Sequence, residues 1–477
     1  MTTWAPGPQG NHDLRFAGAP YRTEVHIVAL PLLSVDEMRE ADARAVANRG
    51  QEFLVSAAGT AVAYEAQLLL GGCYGRRVAV VAGPGLNGAD GRVAAEWLRR
   101  RGARVELFST SNQPQALRGY DLYIDAAFGL GCSRPYVAPQ VDDTTPVLAV
   151  DLPSGVDADT GELFGSPPRA TVTLALGAFK PAHVTGESVH YVGQRRFAGL
   201  GIVDSSRDAV VEDADLFTFV RFKPSDHKWR HAIAILAGSA SMTGAAVLSS
   251  EGAITGGASM VRLTCRGDED SLLNVPGLAV EVVRDPSSRP DERVKAIVAG
   301  PGLGAEARAW LSERLREVKA PVVLDADGLD SSLIANRSSA AAWVLTPHEG
   351  EFARLTGKKL GANRMLAVRE LASRLNCVVL LKGPITLIAS PSGEIRVVTS
   401  GTSSLASAGT GDVLSGLIGA AIARGHEPFE AAALSAHLHG RAGAQLPRYG
   451  RASSLPDVLE QLLRATEAPT PRGRASL

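Results

Sequence analysis

The chain has 477 residues, 49 Lys and Arg against 50 Asp and Glu, and 45% hydrophobic residues. That length suits two domains, and the balanced charge lacks the basic excess of a nucleic-acid binder, so no nucleic-acid partner is expected. With 50 glycines and only 5% aromatic residues, the composition suits α/β layers with glycine-rich loops. Cys73, Cys132, Cys265 and Cys377 lie far apart with no Cys-x-x-Cys pair; reduced core thiols of a cytoplasmic protein are expected.

Residues 1–30 read as a mobile tail without the basic and apolar regions of a signal peptide. No apolar run reads as long enough to span a membrane, so no membrane partner is expected. A first domain is placed at 31–215. Its strand-like run 77–82 ends in Gly83-Pro84-Gly85, a helical segment covers 90–101, and further strand-like runs fall at 104–108, 122–125 and 147–151.

The stretch from Gly83 through Leu86, Asn87, Gly88, Ala89 and Asp90 to Gly91 follows a strand and opens a helix, which suits phosphate binding. It lacks the Lys-Ser/Thr of a P-loop, and its glycine spacing is not the dinucleotide fingerprint. Asp125 and Asp151 end buried strands, where an isolated Asp more often caps a helix or forms a turn. Asn87, Asp125 and Ser154, at neighbouring strand ends, carry oxygens that suit a hard cation.

A linker is placed at 216–224, a second domain at 225–466 and a frayed tail at 467–477. Strand-like runs recur at 232–237, 296–299, 322–325, 343–345 and 378–381. Each ends in its own turn: Gly238-Ser239, Gly300-Pro301-Gly302-Leu303-Gly304, Asp325-Ala326-Asp327-Gly328, Thr346-Pro347-His348 and Lys382-Gly383. Repeated strands with functional turns argue a single α/β sheet. Lys382 can reach phosphate as a point charge. His348 either holds a substrate group or is a satisfied structural histidine. Asp325 and Asp327 either hold hydrated Mg²⁺ near phosphates or cap the next helix.

The most informative stretch is Ala408-Gly409-Thr410-Gly411-Asp412. It reads as a glycine turn opening a helix, a place where free N–H groups and the helix dipole suit phosphate. A carboxylate there would repel a merely bound anion. It makes sense as a base aimed at the reacting group; the competing reading is an Asp that merely caps the helix start.

In order, AGSASMTGAA, GPGLG, DADGL, LTPHEGEFARL, LKGPITLI and SAGTGDVLSG resemble the motifs of the ADP/ATP-dependent NAD(P)H-hydrate dehydratases, over roughly residues 223–465. The resemblance implies a ribokinase-like α/β domain. It implies Asp412 as the base, and an adenine nucleotide (ADP or ATP, with Mg²⁺) on Lys382, Gly383, Pro384, Ile385, Thr386 and Gly411. It also implies that Ala245, Gly302, Gly304, His348 and Asp412 contact the hydrated nicotinamide nucleotide, NADHX or NADPHX. Ala408 stands where that family has Gly, and Trp229 follows His227-Lys228 where it prefers Gly.

The first half resembles the NAD(P)H-hydrate epimerases through MREAD, GPGLNGADG, YIDAAFG, AVDLPSGVDADTG and Lys180-Pro181, over roughly residues 34–211. That implies a Rossmann-like three-layer α/β/α domain, with K⁺ on Asn87, Asp125 and Ser154. Leu86, Asn87, Gly88, Ala89, Asp90, Gly129, Leu130, Gly131, Cys132, Ser133, Arg134, Pro135 and Asp151 would hold substrate, and Asp151 would be the acid/base. Leu86 replaces an Asn of the pattern, Ala89 a Gly, and Leu130 a Thr, while Ser56-Ala57-Ala58-Gly59 replaces Glu-Asn-Ala-Gly. These changes remove hydrogen-bonding side chains or backbone freedom, so a weakened epimerase is expected. The reading is a homo-oligomeric, bifunctional metabolite-repair enzyme. Its alternative is a ribokinase-like small-molecule kinase with a non-catalytic binding or oligomerisation module in front.

Overall fold

The computed structural model describes residues 29–203, 206–211, 227–266, 280–283, 285–304, 306–337, 341–361, 363–447 and 450–467. The expected tails and linker lie outside these residues, apart from residues 29, 30 and 467.

Two sheets organise the chain. Strand β1 (Ala29–Leu32) leads through a Ser34 capping box into helix α1 (Val35–Arg49), and α2 (Gln51–Leu70) follows. Next come β2 (Arg77–Ala82), α3 (Leu86–Arg100), β3 (Arg104–Ser109), β4 (Leu122–Ala126), β5 (Val147–Val150), β6 (Val172–Leu176) and β7 (Gln194–Ala198). The inner runs are mostly apolar and almost wholly buried, the pattern of a parallel sheet covered by helices. The sheet order is β7-β6-β5-β4-β2-β3, all parallel. Helix α3 starts at Leu86 rather than at 90, so Asn87 and Asp90 lie within its first turns.

One sequence expectation is corrected. By length and composition, α2 is apolar enough to cross a membrane. It packs on α3, with the position of a Cβ on Gly59 only 2.4 Å from Val93 Cβ, while Phe53, Tyr64 and Leu68 remain exposed. Polar residues, Ser56, Thr60, Glu65 and Gln67, break the apolar run along the sequence.

Among the described residues, the second sheet has eleven strands. Its elements are β8 (Asp208–Val211), β9 (Ala232–Ser239), α4 (Thr243–Thr255), β10 (Met260–Arg266), β11 (Val280–Val282), β12 (Ala296–Ala299), β13 (Val322–Leu324), β14 (Trp343–Leu345), α5 (Glu349–Thr356), β15 (Val378–Leu381), β16 (Thr386–Ala389), β17 (Ile395–Val398), α6 (Thr410–Ala423) and α7 (Pro428–Gln445). The order is β1-β8-β17-β16-β15-β14-β13-β12-β9-β10-β11. Strands β9 to β15 run parallel, so the turns singled out in the sequence share one edge. Strands β1 and β8, from residues assigned by sequence to the first half, extend this sheet beyond β17. The core on one face takes in Leu32, Phe179 and Val184 along with second-half residues.

Helix α6 carries Asp412, and its close packing on α4 sets where that residue sits. A Cβ on Gly416 would fall 2.0 Å from the Ser249 carbonyl oxygen, and one on Gly252 would fall 2.2 Å from that of Val413. No side chain fits there without moving a helix. Gly416→Ala is therefore expected to destabilise the chain by about 1–3 kcal/mol in urea unfolding; an unchanged midpoint would show that the two helices do not depend on this approach.

Candidate active sites at two sheet edges

At the edge of the second sheet, four turns converge. Lys382 follows β15, and its Nζ donates to Asp325 Oδ1, after β13, at 2.7 Å, with Glu351 Oε2 at 3.8 Å. A Cβ on Gly411 would lie 3.4 Å from Lys382 Nζ and 3.7 Å from Asp325 Oδ2, which puts this pair beneath the N-terminus of α6. Burial alone would lower the Lys382 pKa, but Asp325, Glu351 and Asp412 outweigh it and hold the ammonium above its ordinary value.

Asp412 sits in the first turn of α6, and among the described residues its carboxyl makes no hydrogen bond. Burial first, then Asp325, and to a lesser extent Asp327, push it up to about 7, against the pull of Lys382. A carboxyl poised there can accept a proton near neutral pH.

The remaining predicted residues divide. Gly304 N–H donates to Asp327 Oδ2 at 2.8 Å, and a Cβ on Gly302 would lie 2.7 Å from Ala245 Cβ at the start of α4. Ala245, Gly302, Gly304 and Asp327 thus form one corner. His348 is the N-cap of α5: its Nδ1 accepts from Gly350 and Glu351 N–H, leaving Nε2 as the ring's donor. Asp325 caps the short 3-10 helix Ala326–Gly328, accepting from Ala326 N–H, and Asp330 caps the helix after it. Gly383 faces Arg364, whose Nη2 is buried without a hydrogen bond and lies 3.1 Å from where a Cβ on that glycine would be.

Sequence reasoning missed two residues here. Arg364 bridges toward Glu349 beside the Lys382 loop. His439 on α7 contacts the Thr410 carbonyl through Nε2 at 2.9 Å, and burial pushes its pKa down to about 4, so it is a neutral donor that fixes the start of α6. Its only sequence signal is a histidine within a helix of small apolar residues.

At the edge of the first sheet, a cavity of about 420 Å³ is lined by Leu86, Asn87, Asp90, Gly129, Leu130, Gly131, Cys132 and Asp151 of the predicted set. Asp42 and Lys180 also line it. Gly88, Ala89, Ser133, Arg134 and Pro135 do not; a Cβ on Gly88 would meet the Gly83 carbonyl oxygen at 1.9 Å, so its role is to pack the loop. Asp151 has φ of 65°. Its Oδ1 accepts from Lys180 Nζ at 2.5 Å and from Leu176 N–H at 3.1 Å. Both side chains are buried.

Asp125, fully buried, accepts the Ser154 hydroxyl and N–H, both at 2.7 Å. Burial pushes its pKa up to about 6 despite these donors. Asn87 Nδ2 donates to the Val150 carbonyl oxygen at 2.8 Å, so its amide oxygen faces away from that bond. An amide oxygen, a hydroxyl and a buried carboxylate with no cationic partner fit a monovalent cation. At the other edge, no group of three His, Cys, Asp or Glu among the described residues is arranged to hold a metal. Mg²⁺ there fits only as an ion carried in on nucleotide phosphates.

Two strand-end sites, each with a lysine paired to a buried aspartate, define a two-site α/β enzyme. Comparison with known proteins gives the family. Residues 233–464 match the NAD(P)H-hydrate dehydratase family, and residues 51–119 and 106–182 match the YjeF-related protein N-terminus. The bifunctional NAD(P)H-hydrate repair enzyme Nnr of Mycobacterium tuberculosis is 36% identical over 444 residues, 84% of this chain and 90% of the relative. The enzyme of that name from Synechocystis is 33% identical over 428 residues, 77% of this chain and 81% of the relative. The chain belongs to the bifunctional NAD(P)H-hydrate repair enzymes.

Among solved structures, a hypothetical protein of Streptococcus mutans shares the fold of the second half (TM-score 0.50, 19% identity, 54% of this chain and 100% of that one). An ADP/ATP-dependent NAD(P)H-hydrate dehydratase from Bacillus subtilis, co-crystallised with ATP/Mg²⁺, is 28% identical over 54% of this chain and 98% of that one, with a TM-score of 0.48. The fold class is α/β, with a parallel first sheet and a largely parallel second one.

Lys180→Met leaves Asp151 buried without its partner and is expected to cost about 3–5 kcal/mol in urea unfolding. Adding Asp151→Asn should restore most of that loss. If the single substitution is neutral, the ion pair does not hold this corner together.

Proposed function

We propose that the second half dehydrates the S form of NAD(P)H hydrate at the expense of ADP or ATP, and that the first half interconverts the R and S forms. The observation that carries the first claim is Asp412: a carboxyl with no hydrogen bond among the described residues, raised to about 7, in the first turn of the helix whose Gly411 covers Lys382. Lys382, Gly383, Pro384, Ile385, Thr386 and Gly411 would hold the nucleotide, with Arg364 as an added cation. Ala245, Gly302, Gly304 and His348 would hold the hydrate.

The hydrate carries a hydroxyl at C6, and hydroxide leaves poorly. Asp412 takes the hydroxyl proton as the oxygen attacks the terminal phosphorus, whose bond to the bridging oxygen breaks and releases AMP from ADP or ADP from ATP. The N–H groups at the start of α6 and Lys382 stabilise the charge on the transferring group. Phosphate then leaves C6, and loss of a C5 proton restores the ring double bond. Mg²⁺ on the nucleotide would neutralise phosphate charge in a corner where Asp325, Asp327, Glu351 and Asp412 outnumber Lys382.

In the first half, Asp151 is proposed as acid/base, with K⁺ on Asn87, Asp125 and Ser154 and the cavity-lining loops holding substrate. The four buried free cysteines support a reducing, cytoplasmic setting; homo-oligomeric assembly is carried over from the resemblance. The domain limits 31–215 and 225–466 belong to the same proposal.

With S-hydrate and ATP, the wild type should restore the absorbance of the reduced ring. Asp412→Asn should lower turnover at least about 100-fold while ADP and ATP still bind, because the amide keeps shape and loses basicity. Retained turnover removes Asp412 from the mechanism; phosphorylation of a vitamin alcohol with no ring recovery would establish the kinase alternative. Turnover should also fall as pH drops through about 7, because Asp412 then holds a proton. A rate that stays flat down to pH 5 would contradict a base with this environment.

A further inference from the structure

In the first-half cavity, three carboxyl groups face one ammonium. Asp42 comes from α1, Asp90 from α3, Asp151 from the turn after β5 and Lys180 from the turn after β6. Lys180 is the only cationic side chain in the lining, and it is committed: its Nζ donates to Asp151 Oδ1 and to the Leu176 carbonyl oxygen.

Asp90 stands apart. It is 5% exposed, lines the cavity, and its carboxyl makes no hydrogen bond among the described residues. A buried carboxylate with neither donor nor cation is held to its protonated form. Burial first, then Asp151 and Asp42, raise it to about 8, and burial raises Asp42 as well. The other groups nearby do not relieve it. Arg92, on the same helix, donates to the Gly83 carbonyl oxygen. His183 is neutral, pushed down to about 4 by burial, and its Nε2 contacts the Asp151 carbonyl oxygen at 2.6 Å.

We infer that Asp90 donates the proton in the epimerisation, that Asp151 accepts one, and that the reaction passes through an iminium ion. The inference rests on the epimerase reading above and assigns Asp90, given only a substrate contact by the resemblance, a proton-transfer role. Asp90 gives its proton to the C6 hydroxyl. The C6–O bond breaks, water leaves, and the N1 lone pair forms the C6=N1 double bond. Water then attacks C6 on the other face, and the Asp151 carboxylate takes its proton. The reverse direction exchanges the two roles. A neutral acid beside an ionised carboxylate is the pairing that such chemistry needs. The surplus of carboxylates also favours a cation over an oxyanion. Ring opening, the competing route, deprotonates the hydroxyl and breaks C6–N1, and it keeps the original oxygen.

The test uses the full chain with R-hydrate in ¹⁸O-water and no nucleotide, so that dehydration is silent. Chromatography separates the two forms and mass spectrometry reads the label. The expected result is one solvent oxygen gained per enzyme-driven inversion. Asp90→Asn should slow that inversion about 100-fold or more, with ATP-driven dehydration by the same preparation reporting that the chain is folded. Inversion without label overturns the iminium route, and inversion by Asp90→Asn at the wild-type rate overturns the role of Asp90. A wild type that leaves the spontaneous rate unchanged removes the epimerase reading itself, and this inference with it.

Discussion

Both sites obey one electrostatic constraint: a single lysine beyond a strand end, buried in the first half and half-buried in the second, faces more carboxyl groups than it can neutralise. Lys382 binds Asp325 and leaves Asp412 raised to about 7. Lys180 binds Asp151 and leaves Asp90 raised to about 8. In each case the lysine pairs with one carboxylate and leaves another carboxyl, Asp412 or Asp90, without a hydrogen bond among the described residues. Burial sets the shift in both, which makes the chemistry depend on the packing that keeps water out.

That packing joins the two halves. Strand β1 pairs with β8 on the extended edge of the second sheet, and Leu33 N–H and Phe179 N–H bond across to Phe179 and Pro31 carbonyl oxygens. Phe179 stacks on Phe197 and precedes Lys180. The same short segment runs on into α1, which carries Asp42. The wall of the first cavity is therefore anchored to the second sheet.

Much of this was legible in the sequence. Apolar runs ending in Asp, Lys or glycine turns marked the parallel strands, because strands buried on both faces need apolar residues throughout. Gly411-Asp412 and Lys382 were readable for the same reason: a ligand-facing turn breaks the apolar pattern. What stayed hidden depends on tertiary contact. Nothing local announces that Ala29–Leu32 and Asp208–Val211 complete a distant sheet. The pairing of Lys180 with Asp151 spans 29 residues, and Arg364 and His439 act from helices that carry no motif of their own. Asp90 was visible as a letter in a glycine loop; its proton-holding environment arises only where α1, α3 and two strand ends meet.

The central claim is that the hydrate hydroxyl itself becomes the phosphate leaving group under Asp412. Supplying S-hydrate labelled with ¹⁸O at C6, together with ATP, and analysing the products by mass spectrometry tests it most directly. The account predicts that the label leaves in inorganic phosphate, one atom for each ring restored. Label found in water instead would mean that C6–O breaks without phosphoryl transfer, and would contradict it.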